Sequence, residues 1–219
     1  MSMREVFQKE LSEVQERLVD LSESVTEIME KASLAFLNTD VKKAEEAIAL
    51  SEINEERALV IDELAIRILS RQSPVARDLR VLVAALRISA SLERMGALAG
   101  HIATIARFRY PESAVPESLR KTFSEMGALD SALGRKLTQL LRNTDVDLAR
   151  SIQAEDARVD ELHRSVFDLV LSPDWKENAI HTVDVTLASR YHERFADHVV
   201  DISAKVAYLT TGEWSELES

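Results

Sequence analysis

Asp156 and Asp160 stand four residues apart, and Glu193, Asp197 and Asp201 repeat that spacing. Four residues advance an α-helix by about 400°, so each set keeps to one face with roughly 40° of drift per step. His163 follows Asp156 by seven positions and returns to the same face. If the two stretches lie side by side, up to five carboxylates and one imidazole converge on one patch. Like charges so spaced cost a helix about 0.2–0.5 kcal/mol per pair, so something should neutralise them. Arginines offer one answer: Arg164 is four after Asp160, and Arg190 is three before Glu193. A hard cation held by oxygen ligands offers another, with the histidine optional; iron, manganese, magnesium, calcium and zinc all suit such donors. The Glu-x-x-His motifs of ferritin-type di-iron bundles are absent, and Asp160 with His163 is the nearest approach to one.

Such faces require helices. Phe7, Leu11, Val14, Leu18, Leu21, Val25, Ile28, Ala32 and Ala35 recur at spacings of four and three, an apolar seam that needs partner helices. The seam stops at a tetrapeptide that occurs twice, NTDV at Asn38 to Val41 and again at Asn143 to Val146. There Thr39 or Asp40 can accept hydrogen bonds from the free amides of the next helix. Pro74, Pro111, Pro116 and Pro173 mark further limits, because proline suits a first turn and disrupts an interior. The breaks predict six helices, near 2–38, 40–71, 74–107, 116–142, 145–171 and 174–211. Long helices with short turns make antiparallel bundles.

The order repeats: seam helix, NTDV, helix, Ser-Pro, helix. Leu119, Phe123, Met126, Leu133, Leu137 and Leu140 rebuild the first seam, with Asp130 interrupting it. The reading is an all-α chain of two tandem, pseudo-symmetric three-helix bundles, residues 1–110 and 111–219, joined through the segment from Pro111 to Pro116. Aligned on NTDV, Ser51 faces Asp156 and Glu55 faces Asp160, and the second copy runs about two turns shorter before its Ser-Pro. Aligned on the last helix of each half, Glu93 faces Glu193, Ala97 faces Asp197 and His101 faces Asp201. One half has kept its acids and the other has lost some.

Composition agrees and excludes several functions. Five glycines, four prolines and 5% aromatics in 219 residues suit helices rather than sheets. A net charge of -11 repels a phosphate backbone, which argues against nucleic acid as a partner. No cysteine is present, so disulfides, thiolate metal sites and cysteine nucleophiles are ruled out. The start, MSMREVFQKE, lacks an apolar leader, and no run approaches the ~18 apolar residues of a membrane span, so the cytoplasm is the expected location. There is no Gly-rich phosphate loop and no serine with a recognisable base, so catalysis is not expected. Asp78 and Arg80 read as helix-opening residues, His181 and His192 as solvent-exposed, His198 as flanking Asp197, and Trp214 as capping the bundle end.

ERFADHVVDISAKVAYLTTGE (Glu193 to Glu213), SPVARDLRVLVAALRISASLERMG (Ser73 to Gly96) and the NTDV-opened helices together resemble the PhoU family, regulators of phosphate-specific transport. The resemblance spans essentially the whole chain, duplication included. It implies two three-helix bundles, multinuclear iron or zinc clusters at ExxxD or DxxxD motifs, and a cytoplasmic regulator. That regulator would repress phosphate uptake and starvation signalling through the phosphate ABC transporter ATPase and the phosphate-sensing histidine kinase. Carried over, the second-half cluster falls on Asp156, Asp160, Glu193 and Asp197, with Asp201 where asparagine is usual and His163 on the same face. The first-half cluster would use Ser51, Glu55, Glu93 and Ala97, with His101 at the asparagine position; Ser51 and Ala97 break the pattern. A strong site is therefore expected in the second half, and a weak, rearranged or absent one in the first, built on Glu52, Glu55, Glu93 and His101. A homodimer is also expected. Two other readings predict different behaviour: a di-metal carboxylate enzyme, and a structural bundle whose acids pair with arginines.

Overall fold

The computed structural model describes residues 3–72, 74 and 77–211. Six long helices account for nearly all of them: α1 (Met3–Asn38), α2 (Val41–Gln72), α3 (Arg77–Arg109), α4 (Arg120–Asn143), α5 (Val146–Val170) and α6 (Ala179–Thr211). A short 3-10 turn, Glu117–Leu119, leads into α4. No strand occurs among the described residues, so the all-α expectation holds.

The repeated NTDV does the same work in both places. Asn38 and Asn143 end α1 and α4, and the threonines that follow take left-handed backbone, with φ of 56° at Thr39 and 51° at Thr144. That conformation turns the chain and lets a following amide satisfy a carbonyl of the last turn, Asp40 N to Ala35 O and Thr144 N to Leu140 O. The aspartate then caps the next helix: Asp40 Oδ1 accepts from the Lys43 amide, and Asp145 Oδ1 from the amides of Asp147 and Leu148. Of the two candidate caps, aspartate rather than threonine fills the role.

The last helix begins later than its proline suggests. Residues 171–174 turn and 175–178 are irregular, and α6 opens where Asn178 Oδ1 accepts from the His181 amide. Trp175 Nε1, donating to Thr182 Oγ1, holds this segment against the first turn. Asparagine is the better cap because its side chain reaches the free amides. Trp214 and residues 73, 75 and 76 around Pro74 lie outside the described residues.

Within each half every helix packs on the other two, and the halves join where α1 meets α4 and α3 meets α6. The first seam is buried as expected, with Leu11 only partly so. The apolar core runs without a break through both halves. Across α1 and α4, Phe36 meets Phe123 edge to face at 5.1 Å. These helices approach closely because Gly127 and Gly134 carry no side chain: a Cβ there would lie 2.7 Å from Ser33 Cβ and 2.5 Å from Thr26 Oγ1. Across α3 and α6, the buried Asp184 carboxylate accepts both Nε and Nη2 of Arg109. The joint between halves thus carries core-quality packing and a bidentate ion pair.

Candidate functional site

The shared register of α5 and α6 brings Asp156, Asp160, Glu193 and Asp197 together. Asp156 is half-buried, and its carboxyl is pushed up to about 6 by burial first and then by Asp160, Asp197, Asp130 and Glu193, all of them acidic. Burial and the neighbouring Asp197 also raise Glu193, against the pull of Arg190 and Arg194. Arg190 Nη1 donates to Glu193 Oε1 at 2.5 Å, while Glu193 Oε2 is buried without a hydrogen-bond partner. Arg194 reaches Asp197 Oδ2 at 3.4 Å, and Arg164 stands 3.9 Å from Asp160 Oδ2. Both readings of the acids thus have a physical basis here. Arginines fringe the patch, and the oxygens further inside are left to one another.

A fifth carboxylate arrives from α4. Asp130 is fully buried, and its Oδ2 lies 2.6 Å from Nδ1 of His192, itself 1% exposed. Asp130 Oδ1 has no partner. Burial raises the Asp130 carboxyl and the His192 bond opposes that rise. The expectation that His192 faces solvent is therefore corrected: one buried polar group on α6 meets another on α4. The duplication held the signal, because the same alignments set Asp130 against Val25 and His192 against Leu92, two core positions. Polar residues at two facing core positions are a pair rather than two accidents.

His163 stands at the edge of the patch. Its Nδ1 bonds Ser189 Oγ and its ring packs edge-on to Phe167. Burial and then Arg190 lower its imidazole, with Asp160 and Asp197 pulling the other way. Asp201 is not brought to the patch. It contacts Lys205 and accepts from Ser91 Oγ of α3 at 3.4 Å. Two steps of roughly 40° have carried it about 80° away from Glu193, toward the first half.

In the first half Glu52, Glu55 and Glu93 line a groove of about 460 Å³ together with Glu56, Leu59 and Asp62. His101 lies apart from them and packs on Tyr191 of α6, with 5.3 Å between ring centres. Burial and then Arg94 lower its imidazole. Ser51, at the place of Asp156, donates to Gly96 O at 3.1 Å, and Asn54 Nδ2 to Leu92 O at 3.4 Å. A Cβ at Gly100 would lie 2.8 Å from Ser51 Oγ, so α2 and α3 approach closely at a position where the second half carries Val200. A carboxylate at position 51 would be pressed against the Gly96 carbonyl. The loss of acids and the close approach of the helices go together.

Among the described residues, no three acid or imidazole side chains already stand close enough to grip one ion. Bare carboxylates repel and turn toward the arginines at the rim, so coordination requires Glu193 and Asp197 to leave Arg190 and Arg194. The donors nevertheless suit a hard cation. They are all carboxylate oxygens, and two of them are buried without a hydrogen bond: Asp130 Oδ1, and Glu193 Oε2, which has only Arg194 Nε at 3.9 Å.

The crowding has a pH signature. A carboxyl raised on folding keeps its proton to a higher pH than the unfolded chain does, so folding takes up a proton between the two values. Stability then falls as pH rises from the ordinary 3.8 of Asp156 toward its folded value of about 6. Asp156→Asn removes this contribution. In metal-free protein the variant should match wild type near pH 3 and exceed it near pH 7 by about 1 kcal/mol, allowing for solvent screening. Urea unfolding at both pH values checks this, and an equal difference at the two would show that Asp156 is not the cause.

Comparison with known proteins places this architecture. The PhoU domain model matches twice, over residues 18–106 and 123–206, once in each half. The phosphate-specific transport system accessory protein PhoU homolog 2 of Mycobacterium tuberculosis is 39% identical over 210 residues, 96% of this chain and 99% of that protein. Homolog 1 of Mycobacterium leprae is 37% identical over 214 residues, 98% of this chain and 96% of that protein. The crystal structure of PhoU from Pseudomonas aeruginosa superposes with a TM-score of 0.88 at 24% identity, over 94% of this chain and all of that one. The phosphate transport system regulatory protein PhoU from Streptococcus pneumoniae does so with a TM-score of 0.85 at 25% identity, over 96% of this chain and 99% of that one. With its duplicated three-helix halves, its acid-bearing α5 and α6, and relatives matched from end to end, this chain belongs to the PhoU family.

Proposed function

We propose that this protein is a cytoplasmic accessory regulator of a phosphate-specific transport system. It restrains phosphate uptake and phosphate-starvation signalling when phosphate is ample, by docking on the ATP-binding subunit of the transporter and on the phosphate-sensing histidine kinase. The observation that carries this reading is the end-to-end match to proteins named as phosphate-specific transport system accessory proteins. Family membership and that naming also support a regulator rather than an enzyme. No described helix is long and apolar enough to cross a membrane.

The carboxylate patch is the second part of the proposal. Asp156, Asp160, Glu193 and Asp197 would hold a multinuclear iron or zinc centre, with His163 beside it; Asp201 would act, if at all, from the α3 side. What supports this is the acidic crowding on Asp156 and the buried Glu193 Oε2, which accepts no hydrogen bond. The bound metal would cancel the repulsion between α5 and α6 and set the shape of their outer face for a partner. Glu52, Glu55 and Glu93 offer a weaker, more open counterpart without His101. Two copies of the chain would form the working unit.

Deleting the gene should switch on a phosphate-starvation reporter in ample phosphate, and the wild-type gene should restore repression. The purified protein should bind the ATP-binding subunit and the kinase in surface plasmon resonance. No binding to either partner, with and without phosphate, would remove the reading.

A further inference from the structure

We propose that Asp130 of α4, held in place by His192, is the floor of the second-half cation site and offers its free Oδ1 as a ligand atom. This rests on reading the carboxylate patch as a cation site, and it adds a third helix to that site.

A carboxylate with no solvent exposure has given up its hydration, and folding tolerates this only where other contacts replace it. His192 replaces half of it, through Asp130 Oδ2 at 2.6 Å. The other oxygen, Oδ1, is buried and faces no donor. Asp130 also lies near enough for its charge to act on Asp156, and α4 packs on both α5 and α6. Asp130 therefore lies on the inner side of the same patch, and its free oxygen is assigned to the ion there.

The first half is an internal control. It places Val25 and Leu92 at the two equivalent positions, both buried, and its core closes well. Packing alone therefore does not need a charged residue here, since apolar residues of similar size replace buried ion pairs without loss. The polar pair occurs in the half that carries Asp156 and Asp197, and is missing from the half that carries Ser51 and Ala97. A ligand and its supporting histidine would be kept and lost together with the rest of the site.

A buried floor also selects among cations. An ion that touches Asp130 must shed water on that side. Magnesium dehydrates reluctantly and keeps several waters, whereas zinc accepts a small, dry shell of protein ligands. Asp130 should favour zinc over magnesium, while the outer acids alone would discriminate little.

The test replaces the pair by its first-half equivalent, Asp130→Val with His192→Leu, and titrates chelator-treated full-length protein with zinc chloride and, separately, magnesium chloride by calorimetry. Thermal unfolding without metal runs alongside. The metal-free variant should melt at or above the wild-type temperature. Its zinc affinity should fall tenfold or more, or its zinc stoichiometry by one, with magnesium binding unchanged. If the double variant fails to fold, Asp130→Asn keeps the shape and should show the same loss. Unchanged zinc binding in a folded Asp130 variant, with binding abolished by Glu193→Ala and Asp197→Ala, overturns the role of Asp130 and leaves the outer cluster standing. Absence of zinc binding in wild type overturns the proposal for Asp130, and absence of iron and manganese binding as well overturns the cation site itself.

Discussion

Phe123→Ala should lower the unfolding free energy by about 3–5 kcal/mol, toward the upper part of the range for such truncations. Phe123 is 1% exposed on α4, meets Phe36 of α1 edge to face, and stands 6.0 Å from the His192 ring. The cost of a truncated core ring depends on how far its surroundings can collapse. Here α1 and α4 are already in contact through Gly127 on Ser33 and Gly134 on Thr26, so they cannot move closer to fill the space. For a chain of this length the melting temperature should drop by on the order of 10 °C. Because one apolar core runs through both halves, the loss should act on the whole molecule. Tryptophan fluorescence reports the second half, where Trp175 and Trp214 lie, and far-ultraviolet circular dichroism reports every helix. The two transitions should coincide in wild type and variant. An early fluorescence transition would show that the halves unfold independently.

The second large effect concerns metal. Protein purified without an affinity tag should carry iron or zinc, and Glu193→Ala with Asp197→Ala should lose it. Glu193 is the acid whose Oε2 is buried without a hydrogen bond, and Asp197 is one of the charged neighbours that act on it most. Removing them deletes two donors and also relieves the crowding on Asp156, so the variant should fold and its metal-free form should melt no lower than wild type. Mass action supplies the thermal readout: a site held at a hundred times its dissociation constant stabilises the fold by about 2.7 kcal/mol. A chelator should therefore lower the melting temperature of wild type and leave the variant unmoved. Elemental mass spectrometry gives the stoichiometry. With Ser51 packed on Gly96 and Ala97 lacking a donor, nearly all of the metal should belong to the second half. No metal in either protein, after reconstitution with iron, zinc and manganese, would leave the acids as a solvated or partner-facing surface.

Helix number, order and turns were legible in the chain because each depends on short-range chemistry. A seam such as Leu18, Leu21, Val25 and Ile28 must be covered, and an Asp that follows a helix end caps the next helix wherever the fold places it. The start of α6 departs from its proline because Pro173 is a permissive signal, whereas Asn178 supplies the capping hydrogen bond. The four central acids were legible for the same local reason, spacing along one helix. Asp201 was expected among them, but accumulated rotation carries it toward Ser91, and the packing of α3 on α6 decides that contact.

By itself, then, the sequence determined the periodic and the adjacent: six helices, the caps at the two NTDV turns, the duplication, and which half retains carboxylates. Tertiary structure alone decided which side chains from distant segments share one space. Asp130 and His192 are 62 residues apart, and either one read singly is an interruption or a surface residue. Their meeting depends on how α4 and α6 lie against each other, which no local spacing encodes. The same holds for His101 against Tyr191 and for Ser51 over Gly100. Buried polar pairs acquire their properties from desolvation, and desolvation exists only once the helices have closed around them.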